Sequence, residues 1–166
     1  MTPLPGALGG TALMTWRLET SKHFETWHTA EGAFLFGGRW SSKGNRVLYT
    51  SLDPATAILE VGVHKGLATL DAVAHTLVQL EILEPKRVFT IDPVDVPNPN
   101  WLRPGTVSKA QQQFGDALLK AHAMLLIPSV VSTHSWNLLI DASAAAGLFQ
   151  LKSHEAFALD PRLNSA

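Results

Sequence analysis

Hydrophobic positions along the chain come in short runs whose period keeps changing, and each change marks a predicted element. L-M-T-W-R-L, from residue 13, alternates and predicts a first strand, with Leu13, Thr15 and Arg17 on one side and Met14, Trp16 and Leu18 on the other. R-V-L-Y-T, residues 46–50, has the β-branched and aromatic content of a second strand that ends near Tyr49, after a turn by composition at residues 42–45. Then the period lengthens. Asp53 at an N-cap position and Pro54 at the first helical position open a helix that should stop near Gly66. At about 100° per residue, Ala57, Glu60, Val61 and His64 share one face, Leu59 and Val63 cover another and Ile58 a third. A helix so apolar all round is expected to be largely buried. Glu60 in its middle must then be paired, protonated or facing a cleft.

Further on, T-L-V-Q-L-E-I-L alternates again, placing Leu77, Gln79, Glu81 and Leu83 opposite Val78, Leu80 and Ile82, which predicts a strand with one face buried. R-V-F-T-I, residues 87–91, predicts another. The proline-rich residues 92–105 cannot continue a sheet or helix and are expected to form a long surface loop. Ser108 can cap a helix running to about His122, with Ala110, Phe114, Ala117, Leu118 and Ala121 as its apolar positions. L-L-I-P-S-V-V-S reads as two buried strand pieces broken at Pro128 and Ser129, and W-N-L-L-I as a further strand. D-A-S-A-A-A-G reads as a helical turn ended by Gly147, and residues 149–159 as a final strand or pair of strands. Residues 21–36 are expected to be irregular with one helical turn. The sum is a single α+β domain of short mixed or antiparallel strands and a few helices over residues 13–166, after a loose lead-in at 1–12. Strands and helices do not alternate strictly, which argues against a doubly wound parallel sheet.

Composition narrows the function more than the fold. With 166 residues the chain can bury one real core and is too short for two ordinary domains. Hydrophobic residues make up 46% and charged residues only 16%, which predicts a packed fold with a sizeable apolar contact surface and hence a homodimer or a protein partner. A formal net charge of −1 supplies no basic field for a phosphate backbone, so nucleic acid is not a favoured ligand. The chain has no cysteine, so no disulfide framework and no thiol nucleophile exist. It shows no signal peptide and no membrane-length apolar run, and a cytoplasmic location is expected by default.

Candidate chemistry concentrates between Phe36 and His64. Gly37 and Gly38 free the backbone for positive φ or a close approach, and the Arg39 guanidinium beside them offers a fork of donors suited to an anion. Each residue also has a plainer reading. Arg39 is a surface arginine, Glu60 a rim carboxylate paired with His64 or Lys65, Tyr49 a packed sheet residue, Ser129 a turn residue after proline. The common dinucleotide, phosphate-loop, zinc and hydrolase signatures are absent, and no histidine pair on a predicted helix has metal-ligand spacing.

Several blocks together carry a resemblance. G-G-R-W-S-S-K-G-N-R-V-L-Y-T-S, A-T-A-I-L-E-V-G-V-H, I-P-S-V-V, W-N-L-L-I-D and the terminal F-A-L-D-P-R-L stand in an order and spacing that resemble the RES domain family. That family is named for an arginine, a glutamate and a serine, and occurs as the toxin of bacterial toxin–antitoxin pairs with an Xre-type antitoxin. The resemblance implies a fold similar to ADP-ribosyltransferases and an activity on NAD⁺: phosphorolysis or hydrolysis of the nicotinamide–ribose bond, or transfer of ADP-ribose to a protein. It places Arg39, Glu60 and Ser129 on the family positions as catalytic residues. Arg17, Arg39, Tyr49 and Ser129 become the NAD⁺-binding set, with phosphate as a possible co-substrate and neither metal nor other cofactor required. It also implies an antitoxin that covers the active site. The chain departs from the family pattern at Ser41, where asparagine is usual, and at Asp141-Ala142, where Asn-Pro is usual.

Overall fold

The computed structural model describes residues 12–105 and 107–164, so nearly all of the expected lead-in lies outside the described residues. Seven strands form one sheet in the order β4-β5-β6-β2-β1-β3-β7, with β1 Leu13–Thr20, β2 Val47–Ser51, β3 His75–Ile82, β4 Phe89–Thr90, β5 Met124–Pro128, β6 Trp136–Asp141 and β7 Phe149–Phe157. All pairings are antiparallel except β4 with β5. The α+β architecture with mixed short strands is therefore as the sequence predicts.

The sheet is nearly divided in two. β1 pairs with β3 along its whole length and β2 with β6 along its whole length, but β1 and β2 meet only at Trp16 and Ser51. Side chains take over where the ladder stops. The buried Thr15 hydroxyl donates to Ser51 O at 2.9 Å, and Arg17 Nη1 donates to Tyr49 O at 3.2 Å. Backbone acceptors that lose ladder partners must find others.

Strand alternation sorts the core onto two faces. One face carries a continuous cluster across both halves, including Leu13, Leu48, Val78, Leu80, Ile82, Leu126 and Leu138, with Phe24 and Trp27 packed over it. On the other face the core is split. Leu18 and Leu77 pack with Ile58 and Val61 of the helix α2 Pro54–Lys65 and with Leu70 of α3 Leu67–Ala72. Val47, Tyr49, Leu125, Ile127 and Leu139 pack with Trp40, Trp101 and Leu119.

Several expectations need correction. Residues 21–36 are not irregular: a 3-10 stretch Ser21–Thr29 and a short helix α1 Glu31–Phe36 meet at Ala30, whose φ of 52° breaks them apart. Helix α2 has the predicted ends, Asp53 accepting from Thr56 N and Gly66 closing it, but only Thr56, Ala57 and Gly62 are buried, and Leu59 and Val63 are exposed. The following helix α3 was not expected at all. The strand at residues 87–91 shrinks to two residues, and the second piece after Pro128 is a loop, because the Ser129 hydroxyl accepts from Val131 N and Ser132 N and turns the chain. The proline-rich loop is not wholly superficial, since Val96 and Trp101 are buried.

Helix α4 Lys109–His122 starts at Ser108 as predicted but buries a different stripe: Gln111, Gly115 and Leu119 rather than the alanines. Gly115 explains this. A Cβ there would sit 2.0 Å from the carbonyl oxygen of Trp40, so the helix lies directly on the loop backbone. Mid-helix Gly→Ala normally gains about 1 kcal/mol, whereas an unrelieved core overlap costs about 1–3 kcal/mol. The overlap here is with backbone, so the clash should win. Gly115→Ala is predicted to lower the thermal midpoint by about 2–6 °C. A midpoint that rises would show that the helix does not rest on the loop.

Candidate active site

Two assemblies are anchored on β2, one at Tyr49 and one at Ser51, and each is built by a different helix. The first holds Arg39. Gly37, at φ 73°, and Gly38 turn the chain after α1, and Gly38 N donates to Ser41 O at 2.8 Å. The glycine pair serves this chain's own tyrosine: a Cβ on Gly38 would lie 2.4 Å from the Tyr49 hydroxyl oxygen. Helix α4 supports the loop from outside. Gln112 Nε2 donates to Gly38 O at 2.8 Å, and Asp116 Oδ1 accepts from Ser42 N at 3.0 Å and from Asn45 Nδ2 at 2.9 Å. Trp40 is buried beneath, edge-on to Trp101 at 5.6 Å between ring centres. Arg39 itself is partly exposed, with one weak contact to Gly105 O at 3.4 Å.

Tyr49 joins the loop to the sheet. Its hydroxyl accepts from Trp40 N at 3.1 Å and shares a hydrogen bond with Ser41 Oγ at 2.8 Å. Burial pushes its pKa up to about 12, against the opposing pull of the Ser41 and Trp40 bonds and of the Arg39 charge nearby. The hydroxyl is therefore turned into the loop, and only the ring remains to meet a ligand.

The second assembly holds Glu60. Its Oε1 accepts from Ser129 Oγ at 2.7 Å and from Asn137 Nδ2 at 2.5 Å, and Asn137 Oδ1 in turn accepts from Ser51 Oγ at 2.7 Å. Ser129 is wholly buried, and its hydroxyl gives its proton to Glu60 while taking Val131 N and Ser132 N. A hydroxyl has one donor and two acceptor positions, so this arrangement leaves Ser129 none for a ribose or carboxamide. The rim pairing considered for Glu60 is not seen: Lys65 Nζ donates to Thr20 Oγ1 and His64 is exposed.

Ser51 and Tyr49 project from the same side of β2, two residues and about 7 Å apart. Glu60 and Ser129 are in direct contact and reach Ser51 through Asn137, while Tyr49 meets the backbone of the Arg39 loop and the Arg39 guanidinium reaches Gly105 O. Arg17 stands differently: it alternates with Leu13 and Thr15 onto the other side and fills the gap between β1 and β2. It donates from Nε and Nη2 to Glu19 Oε2 at 2.9 and 2.7 Å as well as to Tyr49 O. Ser41, one departure from the family pattern, bonds Tyr49. Asp141, the other, accepts from Ser143 N and Ala144 N in the turn after β6. Sequence reasoning missed Ser51, Asn137, Gln112 and Asp116. A polar residue inside the apolar run W-N-L-L-I was the available signal for Asn137.

A parted sheet that carries a tethered carboxylate on one side of the parting and an arginine loop propped on helix α4 on the other defines the α+β domain. The chain belongs to the RES domain family, whose model matches residues 14–160. It is 30% identical over 156 residues to a protein named Toxin Res from Yersinia enterocolitica, covering 91% of this chain and 99% of that one. It is 29% identical over 137 residues to a Prs ADP-ribosylating toxin from a Sphingobium species, covering 80% and 83% of the two chains. Its fold is shared with a chain of the crystal structure of the M. tuberculosis MbcT–MbcA toxin–antitoxin complex, with TM-score 0.69 and 18% identity over 92% of this chain and 86% of that one.

Tyr49 is the chain's one tyrosine, so phenolate absorbance near 295 nm reports it alone. The folded protein should titrate near 12, above the ordinary value of about 10. The folded state holds the proton more tightly, so stability is full below about pH 10 and declines as pH rises towards 12. Alkaline unfolding measured on Tyr49→Phe should lack that component. Titration of the folded protein at the ordinary value would show a phenol open to solvent.

Proposed function

We propose that this protein is the toxin of a toxin–antitoxin pair and consumes NAD⁺ by cleaving the nicotinamide–ribose bond. The observation that carries the reading is the tethering of Glu60. Oε1 takes both hydrogen bonds, so Oε2 remains as a fixed, negatively charged acceptor beside the strip of β2 that Arg39's loop also covers. Cleavage of that bond develops positive charge on the ribose, and a preorganised carboxylate stabilises it and orients the attacking phosphate or water. Arg39 binds the diphosphate through its guanidinium fork. The Tyr49 ring stacks on nicotinamide. Arg17, bonded to Glu19 and to Tyr49 O, supports this set from behind, in the gap between β1 and β2. Ser129 acts through Glu60 rather than on the ligand.

An antitoxin of the Xre type covering this site holds the enzyme inactive in its cytoplasmic host, and the exposed apolar residues Phe36, Leu59 and Val63 supply contact surface for it or for a second copy of the toxin. The structural neighbour belongs to a toxin–antitoxin complex, which supports such a partner. A second reading, mono-ADP-ribosylation of a host protein, is favoured by the relative named as an ADP-ribosylating toxin. The two readings share the first bond cleavage and differ in the acceptor.

The test is nicotinamide release from NAD⁺ by the purified protein, with and without phosphate. Release should fall by about 10²–10³-fold in Glu60→Gln, the loss typical of a removed electrostatic stabiliser. Turnover that persists in Glu60→Gln would remove Glu60 from the chemistry. Label from NAD⁺ recovered on protein rather than in ADP-ribose or its phosphate would favour the second reading.

A further inference from the structure

Asn137 sits where the fold has no need of a polar residue. Its neighbours on β6 are Trp136, Leu138, Leu139 and Ile140, all buried, and its ladder partners are Ser51 on β2 and Ile127 on β5. Both ends of its amide are nevertheless used: Oδ1 accepts from the Ser51 hydroxyl and Nδ2 donates to Glu60 Oε1. The direction of the amide follows from charge. Turned over, it would set its carbonyl oxygen against the carboxylate, so Glu60 selects the orientation with nitrogen inward. Ser51, 2% exposed, donates to the amide oxygen, and the two bonds polarise each other in one sense.

One hydrogen bond to a carboxylate oxygen leaves the group free to turn about its last carbon–carbon bond. Two donors on the same oxygen, from β6 and from the loop after β5, hold that oxygen and define where the other points. We propose that Asn137, oriented by Ser51, is a positioning residue that fixes the Glu60 carboxylate with Oε2 presented to the ribose. This rests on the NAD⁺-cleaving reading. It adds a residue that links the carboxylate on α2 to the strand β2 that also carries Tyr49. Substrate binding through Arg39 does not pass through Asn137, so its loss falls on the chemical step.

Two measurements test this. In NAD⁺ turnover, Asn137→Ala should lower kcat on the order of 10- to 100-fold, the range for a hydrogen bond to a charged group, with KM changed by no more than about twofold. Ser51→Ala, which removes only the orienting donor, should give a smaller loss of the same kind. Added to Glu60→Gln, Asn137→Ala should cost little further, because both changes disable one unit. Equal cost in both backgrounds, or a loss confined to KM, would overturn the assignment. The second measurement needs neither NAD⁺ nor activity. In the amide spectrum of the protein, the side-chain proton of Asn137 should be shifted downfield by its short bond to the carboxylate and return towards ordinary positions in Glu60→Gln. An unshifted proton would refute the clamp even in an active enzyme, and a shifted one in a protein that leaves NAD⁺ intact would fault the enzymatic reading alone.

Discussion

A carboxylate half-enclosed by a sheet must be hydrogen-bonded or protonated, and the rest of the site follows from how this chain meets that demand at Glu60. Its partners come from distant parts of the sequence: Asn137 on β6, with Ser51 on β2 behind it, and Ser129 in the loop after β5. Glu60 belongs to a helix that packs on the other half of the sheet, against Leu18 and Leu77. The bond to Asn137 therefore spans the line where β1 and β2 part. Removing one partner would leave a partly buried carboxylate short of a donor, a loss on the order of 1.5–3 kcal/mol for a hydrogen bond to a charged group.

The Arg39 assembly depends on close backbone contact rather than on charge. Arg39 stands on a loop held between the phenol of Tyr49 and helix α4, and the two approaches are possible because Gly38 and Gly115 lack a Cβ. Gln112 and Asp116 add directional bonds to the same loop. The guanidinium keeps its freedom while its Cα is held. That combination suits recognition of a diphosphate, which needs a placed but adaptable fork. The two assemblies thus use different physics to hold their charged groups, one by hydrogen bonds to a carboxylate and the other by backbone packing.

Local punctuation was legible in the sequence. Asp53, Pro54 and Gly66 mark α2 at both ends, Ser108 marks the start of α4, and the alternation around Val78, Leu80 and Ile82 marks β3 with its buried face. What could not be read is what tertiary contact decides. The buried stripe of α4 runs through Gln111 and Gly115 because a loop backbone lies against it, and no periodicity of apolar residues announces that. Val130 and Val131 look like strand, but the Ser129 hydroxyl captures the amides beyond it. The same limit applies at the site. Arg39 stood out beside the glycine pair and Glu60 inside an apolar helix, and the family blocks added Ser129, whereas Asn137 meets Glu60 only because β6 pairs with β2 in a register that sets it beside Ser51.

The central claim is that the propped arginine and the tethered carboxylate serve one ligand. The most direct measurement is a crystal structure of the Glu60→Gln protein soaked with NAD⁺. The account predicts the diphosphate within about 3 Å of the Arg39 guanidinium and the nicotinamide ribose against the side chain at position 60. NAD⁺ bound elsewhere, or touching one of these residues while leaving the other in solvent, would contradict it.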